Sequence, residues 1–284
     1  MLRTAFPQFN QRSRENNSML QQDAEECWSQ ILTVLRTNLK PTPADQSFID
    51  KFLSGTFSTR LSCDEPDADP ATQATEPFLK LNCHIDITTN FMRDGIKAAL
   101  TEHLDKRSEV LGRDAKWTKA FEIARAPKYL VVHFVRFYWK RDTNKKAKIL
   151  RKVKFPLEFD ITEFCTEALK TKTLPVRDAV REARKKHEEA ERARKRARVQ
   201  AEVDSRDGTT GDEGAMDVDD EVDVEALIDD ELRGDEGCNP SGLYELSAVL
   251  THAGSNADSG HWQAWTKQAQ GGTIPAVNWR VDMG

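Results

Sequence analysis

The chain has 284 residues, 38% hydrophobic and 31% charged, which suits one large or two small globular units carrying a charged, poorly packing piece. A net charge of -5 does not advertise a nucleic-acid partner, no apolar run approaches membrane-spanning length, and the N-terminus has no signal-peptide pattern. Five scattered cysteines (Cys27, Cys63, Cys83, Cys165 and Cys238) without a CxxC pair suit a reducing cytoplasmic or nuclear setting and cannot build a four-thiolate zinc site, so neither metal nor cofactor is expected.

Residues 21–28 read QQDAEECW. Asp23 suits a helix N-cap, with Glu26 three positions on as in a capping box. Cys27, Trp28, Ile31, Leu32, Leu35 and Leu39 make an apolar helical stripe, which Pro41 and Pro43 stop. On that stripe Cys27 reads as a buried, inert thiol rather than a nucleophile. Residues 48–83 read as β-like. Within them 57–63 alternate as a strand, 64–77 form a loop rich in Asp, Pro and Ala, and another strand covers 78–85. Ile96, Leu100 and Leu104 mark a following helix.

Residues 126–137, APKYLVVHFVRF, predict a buried strand, because β-branched and aromatic residues dominate and Pro127 stands at its start. His133 inside it reads as a packed residue. Residues 176–200 hold ten Arg or Lys and five Asp or Glu, with many alanines. They are good helix formers with little apolar stripe. Residues 202–236 hold 16 acidic and two basic residues and read as solvated disorder. This predicts a charged insertion over 176–237, a basic helix followed by acidic disorder, between residues 1–175 and 238–284. Lys195-Arg196-Ala197-Arg198 reads as a solvated helix face, with a nuclear-localisation signal or a nucleic-acid contact as alternatives.

Residues 244–265 read YELSAVLTHAGSNADSGHWQAW. Tyr244, Leu246, Ala248 and Leu250 alternate as in a half-buried strand. A small polar loop bracketed by Gly254 and Gly260 follows, and a second strand begins at His261. Strands hold an imidazole rigidly, Gly260 lets another backbone come close, and histidine exchanges protons near neutral pH. The alternative is a histidine packed in a hairpin. Near the end stand Trp279, Val281 and Asp282.

The pattern Tyr-x-Leu-x-Ala-Val-x-x-His-x-Gly, five residues, then Gly-His resembles the histidine box of the ubiquitin-specific proteases. These are papain-like cysteine proteases that cut after the C-terminal glycine of ubiquitin. Trp262 stands where the family usually has tyrosine. Gln21-Gln22-Asp23-Ala24 resembles a second signature, and residues 48–53, 126–137 and 153–160 (VKFPLEFD) are similar to further family segments. The loop at 64–77 and the missing CxxC pairs make the chain most similar to the proteasome-associated branch.

The resemblance implies an α+β fold, a truncated papain-like protease with a helical thumb remnant, β-rich fingers and palm, and a disordered charged insertion. It implies that His261 takes and returns the proton of an attacking thiol, that Asp282 orients the ring, and that Gln22, Asp23 and Gly260 contact the ubiquitin tail. Ubiquitin or its conjugates are the expected partners, with the proteasome as a further one. No membrane and no nucleic acid are expected, and the setting is cytoplasmic or nuclear. The family's Gly-Asn-x-Cys nucleophile box lies ahead of the Gln-Gln-Asp signature, so this chain is expected to be an incomplete, inactive piece. The alternative is a non-catalytic ubiquitin- or proteasome-binding module.

Overall fold

The computed structural model describes residues 23–40, 46–140, 145–204, 223–254, 260–267 and 279–282, together with 4, 6–10, 12, 17, 42 and 142. Helix α1 (Ala24–Asn38) starts where the Asp23 carboxylate accepts the backbone N–H of Glu25 at 3.0 Å, and Leu32 is its buried residue. The β reading of the next stretch fails at its start. Phe48–Phe52 is a short helix, α2, because the Ser47 hydroxyl caps it by accepting the Asp50 N–H at 3.0 Å. A good cap with an acid in the first turn outweighs the β propensity of two phenylalanines over one turn.

An antiparallel sheet follows in the order β2-β1-β5-β4, built from β1 (Gly55–Cys63), β2 (Thr72–Phe78), β4 (Thr101–Arg107) and β5 (Asp114–Arg125). The expected loop at 64–77 is thus a loop only in its first part. Its Asp69 carboxylate accepts the Ser108 hydroxyl and, at 3.2 Å, the Glu109 N–H; Glu65 pairs with Arg113. These contacts tie the β1–β2 loop to the β4–β5 turn.

The expected strand at 78–85 breaks after Phe78, and β3 (Leu81–His84) pairs in parallel with β6 (Val132–Val135). Helix α3 (Met92–Ala99) lies on β3, and Leu104 belongs to β4 rather than to this helix. The run 126–137 is not one buried strand. The N–H groups of Lys128 and Tyr129 donate to Gly237 and Phe52 carbonyls, at 2.8 and 3.0 Å, which takes the first half out of the ladder. Val132–Val135 pairs with β3, half-buried, and the chain then turns into a hairpin of β7 (Phe137–Lys140) and β8 (Lys145–Lys148).

Strand β9 (Glu158–Asp160) pairs with β10 (Leu243–Glu245), and β11 (Ala248–Ala253), β12 (His261–Lys267) and β13 (Trp279–Asp282) form a three-stranded antiparallel sheet. Phe78, Leu81, Cys83, Met92, Ile96, Ile123, Phe159, Ile161, Phe164 and Leu169 share one core.

Helix α4 (Glu167–Asp204) runs through residue 175, where the charged insertion was expected to start. Leu169, Thr173, Val176 and Ala179 form its buried stripe, so packing continues past the composition change. Arg181 and Arg184 then reach Asp160 and Glu245, each at 2.9 Å. From Lys185 on, most side chains face solvent with i,i+4 pairs such as Glu191–Lys195. The acidic stretch is ordered at its far end. Helix α5 (Asp230–Gly234) is capped by Asp229, Leu232 packs on the core, and Asp235 grips Arg125. Residues 205–222 lie outside the described residues.

Candidate active site

The β11–β12 register sets Ala253 against His261 and His252 against Trp262. His261 is the first residue of β12 and is exposed, as a group that must meet a ligand should be. Gly260, just before it, has φ +147°, and a Cβ there would fall 2.2 Å from the Ala253 carbonyl oxygen and 2.8 Å from His252 Nε2. Only glycine lets the returning strand come that close. The loop between Gly254 and Gly260 lies outside the described residues.

Beneath this end of the hairpin the His252 ring packs against two aromatics that also meet each other. Trp262 lies 4.9 Å from it, tilted, and Phe137 of β7 meets it edge-on at 5.6 Å. The Lys148 ammonium is 2.9 Å from His252 Nδ1. Burial, and then the Lys148 charge, push the His252 imidazole below the ordinary histidine range, while Asp23 pulls it the other way.

That last interaction places the start of α1 beside the hairpin. Asp23 also acts on His133, whose ring is depressed mainly by burial while Glu25 and then Asp23 oppose the shift. Glu25 is pushed up by burial, but its hydrogen bonds from Lys80 and Ser29 outweigh this and hold it below the usual glutamate range. His133 Nδ1 lies 3.3 Å from Asn82 Oδ1, and the ring is half-buried on β6. Asp23 is therefore within electrostatic reach of both His133 and His252, which brings the Gln-Gln-Asp signature and the histidine box together. Gln22 lies outside the described residues. Asp282 stands opposite Ala264 on the strand next to β12, three positions along from His261, and its side chain lies outside the described residues.

All five thiols are free. Cys83 and Cys165 are buried, donate to the carbonyls of Met92 and Ile161, and are pushed by burial to about 11 and about 12. Burial raises Cys238 and, with Glu26 adding to it, Cys27. Cys63 sits at the end of β1 with its sulfur 3.5 Å from the Lys116 carbonyl oxygen. At four of the five, burial thus disfavours the thiolate, the form that attacks. Among the described residues no group of three His, Cys, Asp or Glu could hold a metal ion, and no helix is long and apolar enough to cross a membrane.

Sequence reasoning missed Lys148 and Phe137 as neighbours of this site. Lys148 lies in a run with Lys145 and Lys146 that reads as solvated surface, and only the tertiary docking of β8 on β11 turns its head inward.

A family model described as "Ubiquitin carboxyl-terminal hydrolase" matches residues 1–280. Ubiquitin carboxyl-terminal hydrolase 6 of Schizosaccharomyces pombe is 45% identical over 269 residues, which covers 94% of this chain and 56% of that protein. Ubiquitin carboxyl-terminal hydrolase 7 of Arabidopsis thaliana is 38% identical over 280 residues, 95% of this chain and 54% of that protein. Ubiquitin carboxyl-terminal hydrolase 14 of Caenorhabditis elegans is 31% identical over 280 residues, 99% and 51%. The chain spans about half the length of the curated relatives it matches. Among solved structures, the SAGA Ubp8/Sgf11/Sus1/Sgf73 DUB module bound to ubiquitin aldehyde superposes with a TM-score of 0.54 at 16% identity, over 93% of this chain and 44% of that one. At that identity the likeness concerns the fold, which is α+β as the sequence predicts.

Proposed function

The chain belongs to the ubiquitin carboxyl-terminal hydrolase family, and from that premise we propose that it carries the proton-handling side of a thiol-dependent hydrolase acting after the C-terminal glycine of ubiquitin. The observation that carries this is the exposed His261 at the head of β12, with Asp23 of the Gln-Gln-Asp signature close enough to act on the neighbouring His252. In this reading His261 accepts the proton of the attacking thiol and returns it to the leaving amine. Asp282 steadies the ring from the adjoining strand. Gln22, Asp23 and the bare backbone at Gly260 line the path of an extended ubiquitin tail, whose own N–H and C=O groups need partners there.

The same proposal holds that these 284 residues do not cut by themselves. Burial disfavours the thiolate form of four thiols, and Cys63 lies at the end of β1, hydrogen-bonded toward β5. Incubating the chain with a fluorogenic ubiquitin C-terminal substrate is expected to give no turnover. Turnover abolished by His261→Ala would show that one of these cysteines is the nucleophile and overturn this part of the reading. A cytoplasmic or nuclear setting and association with the proteasome belong to the proposal as well, supported by the free cysteines and by likeness to the proteasome-associated branch.

The state of the thiols also favours a second reading, a ubiquitin-binding module without catalysis. Ubiquitin affinity that survives His261→Ala together with His252→Ala would favour the module, because catalytic residues would then contribute nothing to a role confined to binding.

A further inference from the structure

Lys148, the last residue of β8, donates its three ammonium protons to three acceptors at the end of β11 and on the residue just after it. These are His252 Nδ1 at 2.9 Å, the His252 carbonyl at 2.9 Å and the Gly254 carbonyl at 2.5 Å. The two carbonyls flank Ala253, and Ala253 is the residue paired directly with His261. An ammonium can only donate, so Nδ1 of His252 must be the accepting nitrogen and the ring proton must sit on Nε2. That Nε2 is buried and has no hydrogen-bond partner among the described residues. Turning the ring over would set a C–H against the ammonium and leave Lys148 short of an acceptor. Trp262 and Phe137, which also meet each other edge-on at 6.3 Å, pack against the ring where it stands.

The geometry points to Lys148 as a positioning residue for His261, one that fixes His252 as the Nε2–H tautomer and clamps the strand end against which His261 is registered. This rests on the reading of His261 as the proton-handling residue. Among the described residues, the charged groups acting on His252 are Lys148 from β8 and Asp23 from the α1 cap; His261 precedes Trp262, the cross-strand partner of His252, and Arg136, ahead of β7, acts on Lys148. A neutral His252 beneath the hairpin keeps a second positive charge away from the ring that has to gain one.

The test is nitrogen-15 NMR of the histidine rings in the 284-residue chain. In the wild type His252 is expected to show a protonated Nε2 and a bare Nδ1 at pH 7. Lys148→Met keeps the stem and removes the donors. It is expected to give mixed His252 tautomers, to shift and broaden the His261 ring signals, and to speed amide exchange at Ala253 and His261 on the order of tenfold, as loss of one or two net hydrogen bonds should. The Trp117 indole signal, on β5, is the control for an intact fold. Lys148→Arg restores a donor and is expected to restore the Nε2–H form, so the wild type and this variant decide the matter if the Met variant does not fold. A wild-type His252 protonated on Nδ1, or a folded Met variant with unchanged His252 and His261 signals, overturns the proposal. Turnover plays no part in this readout, so its failure is separate from failure of the hydrolase reading.

Discussion

Arg184 Nη2 lies 2.9 Å from Glu245 Oε1, and the other oxygen of that carboxylate lies 2.9 Å from Lys267 Nζ. One side chain at the end of β10 thus joins the long charged helix to the last residue of β12, the strand that begins with His261.

Glu245→Gln is expected to loosen β12 more than it lowers global stability. The pair is half-exposed, so the loss should stay within about 1 kcal/mol, while amide exchange along β12 quickens. The Lys267 hydrogen bond holds the Glu245 carboxyl below its ordinary 4.5 against burial, with Arg184 adding to it. A depressed folded value means that the stabilisation is present above about 4.5 and is lost as pH falls through the lower, folded value. The Gln variant should therefore lose part of the acid limb of a Tm–pH curve and stay parallel to wild type above pH 6. Raising salt to 1 M should bring the wild type closer to the variant.

Asp235 grips Arg125 through two bonds, 2.6 Å to Nε and 2.8 Å to Nη2, while the same guanidinium donates to the carbonyls of Ser54 and Lys51. This ties the ordered end of the acidic stretch to β5 and α2. Asp235→Asn is expected to cost about 1–3 kcal/mol in urea unfolding, reduced toward the lower end by partial exposure. Unchanged stability would mean that residues 229–236 merely lie against the surface.

Gly95→Ala should strain the contact of α3 with β3. A Cβ at this position would sit 2.4 Å from Cys83 Sγ and 2.6 Å from the backbone oxygen of His84, and the strand cannot yield as a flexible side-chain tip can. A loss of about 1–3 kcal/mol is expected, together with chemical-shift changes over residues 81–84. A neutral outcome would place α3 farther from β3 than described.

The clasp of Asp69 on Ser108 holds the far end of the four-stranded sheet by polar contacts. Asp69→Ala is expected to raise exchange at residues 108–113 and to leave α1 untouched. Adding EDTA or zinc should leave Tm unchanged, and a zinc-dependent rise in Tm would contradict a polar clasp that works without metal.

The elements read most clearly were those whose signal is local. The Asp23 cap with its stripe of Ile31, Leu32 and Leu35 is a helix, and the glycine-bracketed hairpin returns at His261. The misreadings came where neighbours override the sequence pattern. Tyr129 looks like strand but gives its N–H to Phe52, and Ser47 turns an aromatic β-like run into a helix. Val176 and Ala179 lie in a region whose composition is that of a solvated arm, yet the residues before it have already docked the helix and carry them into the core. At the site, the residue types and spacing expose His261 and Asp23, because each falls in a recognisable pattern. Lys148 falls in none, since its role depends on where β8 meets β11 and nothing in KKAK encodes that meeting.

The most direct test is titration of the isotope-labelled 284-residue chain with unlabelled ubiquitin, followed residue by residue. If the hairpin and the α1 cap receive the ubiquitin tail, the largest perturbations fall on Asp23, Gly260 and His261, and ubiquitin lacking its last two glycines no longer produces them. Binding that leaves those three residues unchanged, or that is indifferent to removal of the glycines, contradicts the placement of the site.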